Sequence, residues 1–357
     1  MKIVQIMPTV SFGDAVSNDA RAISRVMSEM GYKNFIYAEN VDPRIKEPFV
    51  RKLAKTPDIN DDDIVIFNHS TGTDLCYELP TLPGRKMMIY HNITPPRFFN
   101  LYSQTATDLT KFGYEGTRFL ADKIEYVMGD SEYNISELKA MGYTCPSYVR
   151  PILIPFEDYK KTPDEGVIAK YSGGGYVNIV FVGRIAPNKK QEDLIAAFAY
   201  YKKNVNPKSR LILVGSDRGM ERYKGYLSRY VDALDVSDVI FTGQIPFKEI
   251  LAYYKIADVF LCMSEHEGFC VPLLEAMSFE KPIIAFDSSA VGETLGGSGI
   301  LVDDKDPVFI SLLIDRTVKD ERLRRQIIEK QNERLKDFSY EKVKESFIKG
   351  LGEFIGR

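Results

Sequence analysis

Two glutamates eight positions apart, Glu267 and Glu275, flank the start of a predicted helix in the stretch CMSEHEGFCVPLLEAMSFEKPIIAFD. Pro272 suits the first helical position, where the N–H that proline lacks is not needed. The residues before it, Cys270 and Val271, cannot cap a helix, whereas Ser, Thr, Asp or Asn would contribute about 0.5–2 kcal/mol there. The exposed N–H groups and the positive end of the helix dipole therefore predict an anion-binding site.

Arg184 and Lys189, in the stretch VGRIAPNKK, could supply the positive charge that holds such an anion. Arginine offers a fork of donors and lysine a mobile point charge, a combination that suits a diphosphate. Glu275 lies about one turn into the helix and could accept hydrogen bonds from two vicinal hydroxyls, such as those of a ribose. Glu267, in the preceding loop, could do the same for a sugar. The alternative is that Glu275 is a surface residue and Glu267 an ordinary loop residue.

Glycine and polar residues recur after predicted strands, where ligands of open α/β sheets bind. The stretch SFGDAV contains Gly13, which could let the backbone approach a phosphate or could lie in a plain turn. It is not a GxGxxG motif, which disfavours a dehydrogenase. A lone histidine such as His91 is more often structural than catalytic, but its place at a strand end favours a functional role. The other residues at such ends are Asn92, Gly183, Gly215 and Gly243.

The elements that must position these residues are short apolar runs alternating with helical patterns. Most of the later runs are continuous rather than alternating, as expected of strands buried on both faces of a parallel sheet. The sequence therefore predicts two doubly wound α/β domains in tandem with a cleft between them. The polar segment EDYKKTPDEGVIAKYSGGGY is predicted to link the domains. The runs are KIVQIM, NFIYA, DIVIF, KMMIY, IEYVMG, YVRPILI, VNIVFVG, RLILVG, DVIFTG, DVFLCM, KPIIAF and GILV.

Length and composition narrow the class of protein. A chain of 357 residues favours two domains, and a net charge of −3 without a basic stripe argues against nucleic acid binding. The four cysteines are widely scattered with no CxxC pair, so we expect reduced buried thiols and no metal site. The first run is typical of a strand rather than a signal peptide, and no run of about 18 apolar residues exists. We expect a cytoplasmic protein.

The chain resembles the family-4 retaining glycosyltransferases, which have the GT-B architecture of two facing Rossmann-like domains. EGFCVPLLE matches the two-glutamate signature of that family, and VGRIAPNKK is similar to its G-R-…-K loop. IIAFDSSAVGET and YHNI also resemble segments of the family. The resemblance implies an acceptor-side domain at 1–160 and a nucleotide-sugar domain at 170–337. It also implies that the last helix, about 338–357, packs back on the first domain.

By this resemblance, Arg184 and Lys189 hold the diphosphate, Glu275 the ribose and Glu267 the donor sugar. Gln244 and Ile245 would lie near the base, and His91 would approach from the acceptor side. Backbone groups would complete the donor site at Gly13, Gly183, Gly215, Gly268, Phe269, Cys270 and Val271. Cys270 stands where the family usually has glycine, and SSAVGET lacks the usual Gly-Gly-x-x-Glu pattern, which leaves the donor uncertain.

The implied reaction is transfer of a hexose, with retention, from a nucleotide diphosphate to a hydroxyl of a glycan or lipid-linked glycan. Arg184, Lys189 and the helix start would stabilise the leaving diphosphate, and the departing phosphate oxygen would take the acceptor proton. His91 would orient the sugar or stabilise positive character, and Glu267 as a nucleophile is the alternative. No metal or other cofactor is expected. A GDP- or UDP-linked hexose fits, and YHNITP favours GDP-mannose because it resembles bacterial polysaccharide mannosyltransferases.

Other functions are also compatible with the sequence. A sugar-nucleotide epimerase could use the same architecture, but it would need further carboxylates in the cleft and would turn over without an acceptor. A non-catalytic module that binds a sugar nucleotide is a third hypothesis. The stretch PPRFFNLY could contact the inner face of a membrane peripherally or form a packed lid over the acceptor.

Overall fold

The computed structural model describes residues 1–53 and 57–356 and divides into two compact units. Unit 1 comprises the described parts of Met1–Pro96, Thr105–Ile154 and Phe338–Arg357. Unit 2 comprises Arg97–Gln104 and Pro155–Asp337. The chain therefore enters unit 2 briefly at Arg97–Gln104, leaves unit 1 again after Ile154 and returns to it at Phe338.

Each unit is built on a parallel sheet. In unit 1 the strand order is β3-β2-β1-β4-β5-β6-β7, and in unit 2 it is β10-β9-β8-β11-β12-β13. The strands are β1 (Ile3–Val10), β2 (Asn34–Val41), β3 (Val50–Lys52), β4 (Ile64–His69), β5 (Arg85–Tyr90), β6 (Tyr126–Gly129), β7 (Ser147–Val149), β8 (Val177–Val182), β9 (Ser209–Val214), β10 (Val239–Phe241), β11 (Val259–Cys262), β12 (Ile283–Phe286) and β13 (Ile300–Val302).

Helices connect the strands, as right-handed parallel crossovers require. They are α1 (Ala15–Glu29), α2 (Leu75–Glu78), α3 (Gln104–Phe119), α4 (Glu132–Ala140), α5 (Glu165–Tyr171), α6 (Gln191–Tyr200), α7 (Glu221–Ala233), α8 (Phe247–Ile256), α9 (Val271–Ser278), α10 (Val291–Leu295), α11 (Pro307–Lys319), α12 (Glu321–Leu335) and α13 (Tyr340–Ile355).

The predicted doubly wound α/β class is confirmed, and the continuous apolar runs form the strands. Three details differ from the sequence prediction. The run YVRPILI forms a strand only at its start, in β7, because proline at 151 cannot donate to a ladder. The short edge strand β3 was not predicted, since its sequence VRK is half-buried to exposed and has no apolar pattern. The polar segment predicted to link the domains contains α5.

Helix ends follow local signals in the sequence. Ser131 caps α4 by accepting a hydrogen bond from the N–H of Asn134 at 3.2 Å, as predicted. Gly31 and Gly142 have φ angles of +86° and +102° and stop α1 and α4 in the predicted left-handed conformation.

The last helix, α13, packs into the core of unit 1. Its buried side chains Val343, Phe347, Leu351 and Phe354 join a cluster with residues of the sheet and of α1. Gly350 lies where an added Cβ would come within 2.6 Å of Met128 Cε, so glycine permits a close approach to the sheet. Unit 1 is therefore completed by a segment that follows all of unit 2 in the chain.

Both sheets have one point at which the strand order reverses, between β1 and β4 in unit 1 and between β8 and β11 in unit 2. In doubly wound folds, ligands bind beyond the carboxyl ends of the strands at this point. The loops that follow β8 and β11 carry Arg184, Lys189 and Glu267.

Every helix in 1–53 and 57–356 is too short or too polar to span a membrane.

Candidate functional site

The loops after β8 and β11 meet in unit 2 through an ion pair. Lys189 Nζ lies 2.6 Å from an oxygen of Glu267, and their side chains are 20% and 9% exposed. Burial lowers the pKa of Lys189, but Glu267, together with the neighbouring Cys270 and Cys262, outweighs burial, so the pKa lies above its usual value. The two residues that we predict for the diphosphate and for the sugar are thus neighbours, and each is the counter-ion of the other.

The start of α9 lacks a capping side chain, as the sequence predicts. Cys270 occupies the cap position with φ +71° and ψ +61°, a left-handed conformation, and its side chain makes no capping hydrogen bond. The helix begins at Val271, so Pro272 is the second helical residue rather than the first. This helix start lies at the carboxyl edge of the sheet, on the loop that carries Glu267.

Glu275 is half-buried rather than a surface residue, and two phenols hold it. Tyr159 Oη donates to one carboxylate oxygen at 2.6 Å, and Tyr254 Oη donates to the other at 2.5 Å. Burial raises the pKa of Glu275, and the two phenol hydrogen bonds counteract it only in part. Sequence reasoning missed both tyrosines, since Tyr159 is 116 positions away in the predicted linker.

Polar residues fix the loop that contains Glu267. The N–H of Glu267 donates to Ser289 Oγ at 2.7 Å, and the N–H of Glu265 donates to the Asn188 carbonyl at 2.8 Å. Asn188 Nδ2 in turn donates to the His266 carbonyl at 3.0 Å. Thr294 Oγ1 donates to the Phe269 carbonyl. Asn188 and Thr294 lie inside two stretches that carry the family resemblance, which is the signal that could have pointed to them.

Glycines let the ends of β8 and β9 approach closely. Gly215 has φ +152°, and a Cβ there would lie 2.0 Å from the Gly183 carbonyl oxygen, so no other residue fits. Gly215 also forms an isolated bridge with Gly243. These glycines shape the carboxyl edge of the sheet by backbone packing.

The remaining donor residues predicted in unit 2 lie along this same edge. Arg184 is exposed, and its Nη2 donates to the Arg218 carbonyl at 3.0 Å in the loop after β9. Gln191 Nε2 holds the Arg184 carbonyl at 3.0 Å. Gln244 is exposed and Ile245 half-buried in the loop after β10, while the neighbouring Gly268 is half-buried.

Two of the four cysteines come together, which corrects the interpretation of them as scattered thiols. The ligand atoms of Cys262, Glu267 and Cys270 all lie within 4.8 Å of one another, and all three residues are buried. Sequence spacing did not indicate this because Cys262 ends a strand and Cys270 precedes the next helix. The fold turns the chain back over the seven residues between them.

In unit 1, Gly13 lies in a turn with φ +78°, and nothing lies within 4 Å of an added Cβ. The next residue, Asp14, caps α1 by accepting from the N–H of Ser17 at 2.9 Å. A carboxylate therefore already occupies the amino-terminal end of α1. This geometry accounts for Gly13 as a turn residue, and its contact with a donor stays a prediction.

His91 follows β5 and belongs to a buried chain of polar residues. Its Nδ1 lies 2.9 Å from Asp130 Oδ2, and both side chains are almost fully buried. The other Asp130 oxygen lies 3.6 Å from Arg150 Nη2. The Arg150 guanidinium also donates two hydrogen bonds, each of 2.7 Å, to the two carboxylate oxygens of Asp19. Sequence reasoning missed these three partners because Asp19 and Arg150 are 131 positions apart.

The His91 ring faces acceptors on both nitrogens. Asn68 Oδ1 lies 3.4 Å from His91 Nε2. The Asn68 amide is oriented by its Nδ2, which donates to Gln5 Oε1 at 2.9 Å. Gln5 is fixed in turn because its Nε2 donates to the Ala20 carbonyl at 2.9 Å. Burial lowers the pKa of His91, but Asp130 more than offsets it, so the pKa is raised. Both ring nitrogens are therefore engaged within unit 1, and a role of His91 toward a sugar stays a prediction.

The stretch that we considered as a membrane contact or lid packs within unit 2. Phe99 is buried, the ring of Phe98 lies 6.0 Å from that of His266, and the ring of Tyr102 lies 4.9 Å from that of Tyr223. Leu101 is exposed. Most of the aromatic side chains are therefore engaged in packing.

The sequence is similar to those of several curated glycosyltransferases. The chain is 24% identical over 270 residues to O-antigen chain mannosyltransferase B of Escherichia coli, covering 74% of this chain and 69% of that protein. It is 31% identical over 163 residues to the GDP-mannose-dependent alpha-(1-6)-phosphatidylinositol monomannoside mannosyltransferase of Mycolicibacterium smegmatis, covering 43% and 41%. Across the first curated relatives that it matches, the chain spans from 24% to 69% of their length.

A solved structure shows the fold over the whole chain. HepE of Anabaena, in complex with UDP-glucose, superimposes with a TM-score of 0.75 at 16% identity and covers 99% of this chain and 100% of that one. This likeness assigns the GT-B fold. The family model of glycosyl transferases group 1 matches residues 172–334, which carry the Lys189–Glu267 pair and α9, so this part of the chain is similar to that family.

Proposed function

We propose that the protein is a retaining glycosyltransferase that moves a hexose from a nucleotide diphosphate to a hydroxyl of a glycan or lipid-linked glycan. The observation that carries the proposal is the uncapped start of α9 beside the Lys189–Glu267 pair, at the carboxyl edge of the sheet in unit 2. A helix start, a cation and a carboxylate that we propose to bind the sugar are neighbours there. The family match over residues 172–334 supports transfer rather than epimerisation.

The diphosphate would bind at the start of α9, with Lys189 and Arg184 as cationic partners. An ammonium has three N–H donors, so Lys189 can keep Glu267 and still donate to a phosphate oxygen. Backbone N–H groups at the start of a helix point toward an anion, and the dipole favours its charge. Fixed donors that stabilise the charge developing on a leaving group often accelerate such reactions more than any other feature of the site.

The ribose would bind at Glu275. A carboxylate offers about four lone-pair positions, and Tyr159 and Tyr254 use one on each oxygen. The positions that remain match the two vicinal hydroxyls of a ribose. The tyrosines would thus aim the carboxylate without excluding the ligand.

In the proposed reaction, the bond from the anomeric carbon to the diphosphate oxygen breaks while the acceptor oxygen bonds to that carbon on the same face. The departing phosphate oxygen takes the acceptor proton, so the step needs no protein base there. Glu267 would hold the sugar hydroxyls. The similarity to two mannosyltransferases favours mannose, and to a GDP-mannose-dependent one favours GDP. UDP stays open because HepE is described with UDP-glucose.

A thermal-shift panel of GDP, UDP, ADP and dTDP, each alone and with its sugar, tests the donor. A ligand that binds only the folded state stabilises it by about 2.7 kcal/mol at a hundred times its Kd. GDP and GDP-mannose are expected to raise the melting temperature most, and Glu275→Gln is expected to reduce that rise. If no nucleoside diphosphate shifts the melting temperature, the proposed donor site is wrong. Conversion of a sugar nucleotide without an acceptor would instead indicate an epimerase.

A further inference from the structure

Three side chains that can bind a metal ion lie together at the carboxyl end of β11. The Sγ atoms of Cys262 and Cys270 and a carboxylate oxygen of Glu267 lie within 4.8 Å of one another. The residues are only 1%, 6% and 8% exposed. With Zn–S bonds of about 2.3 Å and Zn–O bonds of about 2.0–2.2 Å, tetrahedral ligand atoms lie roughly 3.5–4 Å apart. Small side-chain shifts would therefore bring the three atoms to zinc-binding distances.

The ligand set selects the kind of metal. Thiolates are soft ligands that favour zinc and similar ions over magnesium or calcium. On binding a cation, both thiols would lose their protons to solvent and become thiolates. With the Glu267 carboxylate the site would then carry three negative charges, and the Lys189 ammonium, 2.6 Å from Glu267, would offset one of them. The two negative charges that remain match a divalent cation.

The surroundings hold two of the ligands in place. The N–H of Glu267 donates to Ser289 Oγ at 2.7 Å, and Cys262 Sγ donates to Ser264 Oγ at 3.4 Å. Cys270 adopts a left-handed backbone conformation that is unusual for a residue other than glycine. Its thiol lies within 4.8 Å of the other two ligand atoms.

We propose that Cys262, Glu267 and Cys270 form a three-ligand site for a thiophilic divalent cation of the zinc class, with the fourth position open to water. A disulfide is the competing use of the two thiols. A disulfide would require the two sulfurs to approach to about 2.0 Å, and it would not involve the Glu267 carboxylate. A bound metal would use all three side chains.

Cobalt is the probe, because Co²⁺ bound to thiolates gives absorption bands that distinguish sulfur ligands. The full chain is freed of metal, kept reduced with a non-thiol reductant and titrated with Co²⁺. We expect thiolate bands that saturate at one equivalent and that Zn²⁺ removes. Cys262→Ala and Cys270→Gly should each abolish the thiolate bands. Glu267→Gln should weaken Co²⁺ binding by more than the roughly 10–100-fold that is typical when a residue hydrogen-bonded to a metal ligand is lost.

The controls separate loss of the site from loss of the fold. Cys270→Gly suits the left-handed backbone at this position and should melt cooperatively by circular dichroism. Cys145→Ser, in unit 1 and outside the cluster, should bind Co²⁺ like the original protein. The proposal fails if the original protein gives no thiolate bands, or if the bands persist in Cys270→Gly. It also fails if mass spectrometry finds a Cys262–Cys270 disulfide in air while the reduced protein takes up no Co²⁺.

One consequence rests on the proposed function. Because Glu267 would bind either the metal or the donor sugar, saturating nucleotide sugar should weaken Co²⁺ binding. If the thiolate bands form but do not respond to a nucleotide sugar that binds, the metal site stands and the donor role of Glu267 is wrong. The two proposals can therefore fail separately.

Discussion

At the scale of single residues, Lys189 and Glu267 depend on each other because each neutralises the other in a largely buried place. The same ammonium is proposed to stabilise the leaving diphosphate. Its removal therefore has two effects, one on catalysis and one on stability. The two effects can be separated by the choice of substitution.

Lys189→Ala is expected to lower kcat by about 100-fold or more, the scale measured when one fixed donor to a developing charge is removed. It should also lower the free energy of unfolding, by up to about 3 kcal/mol, because Glu267 is left without its counter-ion. Steady-state kinetics and urea unfolding measure the two effects. The double substitution Lys189→Met with Glu267→Gln should recover stability but not kcat.

Lys305→Met is the control, since Lys305 is comparably buried and pairs with Asp193 and Glu265 without a proposed catalytic part. It should leave kcat within about two-fold of the original. An Lys189→Ala enzyme with unchanged turnover would remove Lys189 from the mechanism.

Two buried histidines of unit 1 predict opposite pH dependences of stability. Asp130 raises the pKa of His91 in the folded state, so His91 contributes stability that is complete below the unfolded pKa of about 6.5. That contribution is lost as the pH rises through the folded pKa. Burial lowers the pKa of His69 to about 3, so His69 destabilises the fold increasingly as the pH falls from about 6.5 toward 3.

Urea unfolding of His91→Gln and His69→Gln over a pH series measures both histidines. The free energy of unfolding lost in His91→Gln should be larger at about pH 6 than at about pH 9. The stability lost in His69→Gln should instead shrink as the solution is acidified. Equal pH trends for the two variants would contradict the opposite directions of the two pKa shifts.

At the scale of elements, two glycines of α13 have different environments. Gly352 is exposed and has nothing within 4 Å of an added Cβ, so Gly352→Ala should raise the free energy of unfolding by about 0.5–1 kcal/mol through helix propensity. At Gly350 the same methyl would lie 2.6 Å from Met128 Cε and 3.0 Å from the Tyr148 ring. Gly350→Ala should gain less than Gly352→Ala or be destabilising, and chemical unfolding of the two variants compares them. A larger gain at Gly350 would mean that α13 does not pack closely on the sheet.

Local sequence patterns predicted some of the helices and strands and missed others. Continuous apolar runs predicted strands buried on both faces, and the lack of a capping residue predicted an open start for α9. Both features are properties of a few adjacent residues. The edge strand β3 and helix α5 were missed because VRK lacks an apolar pattern and α5 lies in a stretch rich in charge and glycine.

At the scale of the whole molecule, α13 ties the end of the chain to unit 1. Each large apolar side chain that it buries contributes about 1.5–3 kcal/mol, and four such residues rival the stability of a whole domain. A chain ending after Asp337 should therefore lose the fold of unit 1. Hydrogen exchange read by mass spectrometry should show rapid exchange of β1 and β4 in this truncated chain. Slow exchange there would show that unit 1 folds without α13.

Most side chains that contact the predicted site residues could not be identified from the sequence, because they lie far away along the chain. The residue types and spacing of Glu267, Glu275, Arg184 and Lys189 indicated a site for an anion and hydroxyl groups. The structure added that Lys189 pairs with Glu267 across 78 positions and that Tyr159 reaches Glu275 across 116. It also joined Asp19 to Arg150 across 131 positions.

By itself, the sequence determined the parallel α/β class, the uncapped start of α9 and the residue types available at the strand ends. These depend on hydrophobic patterning and on capping, which act between neighbours in the chain. Only the tertiary structure decided which charges neutralise each other, which carboxylate two tyrosines hold and that Cys262 and Cys270 share a site with Glu267. Such pairings are set by the order of strands in the sheet, and that order brings together residues whose separation in the sequence carries no signal of contact.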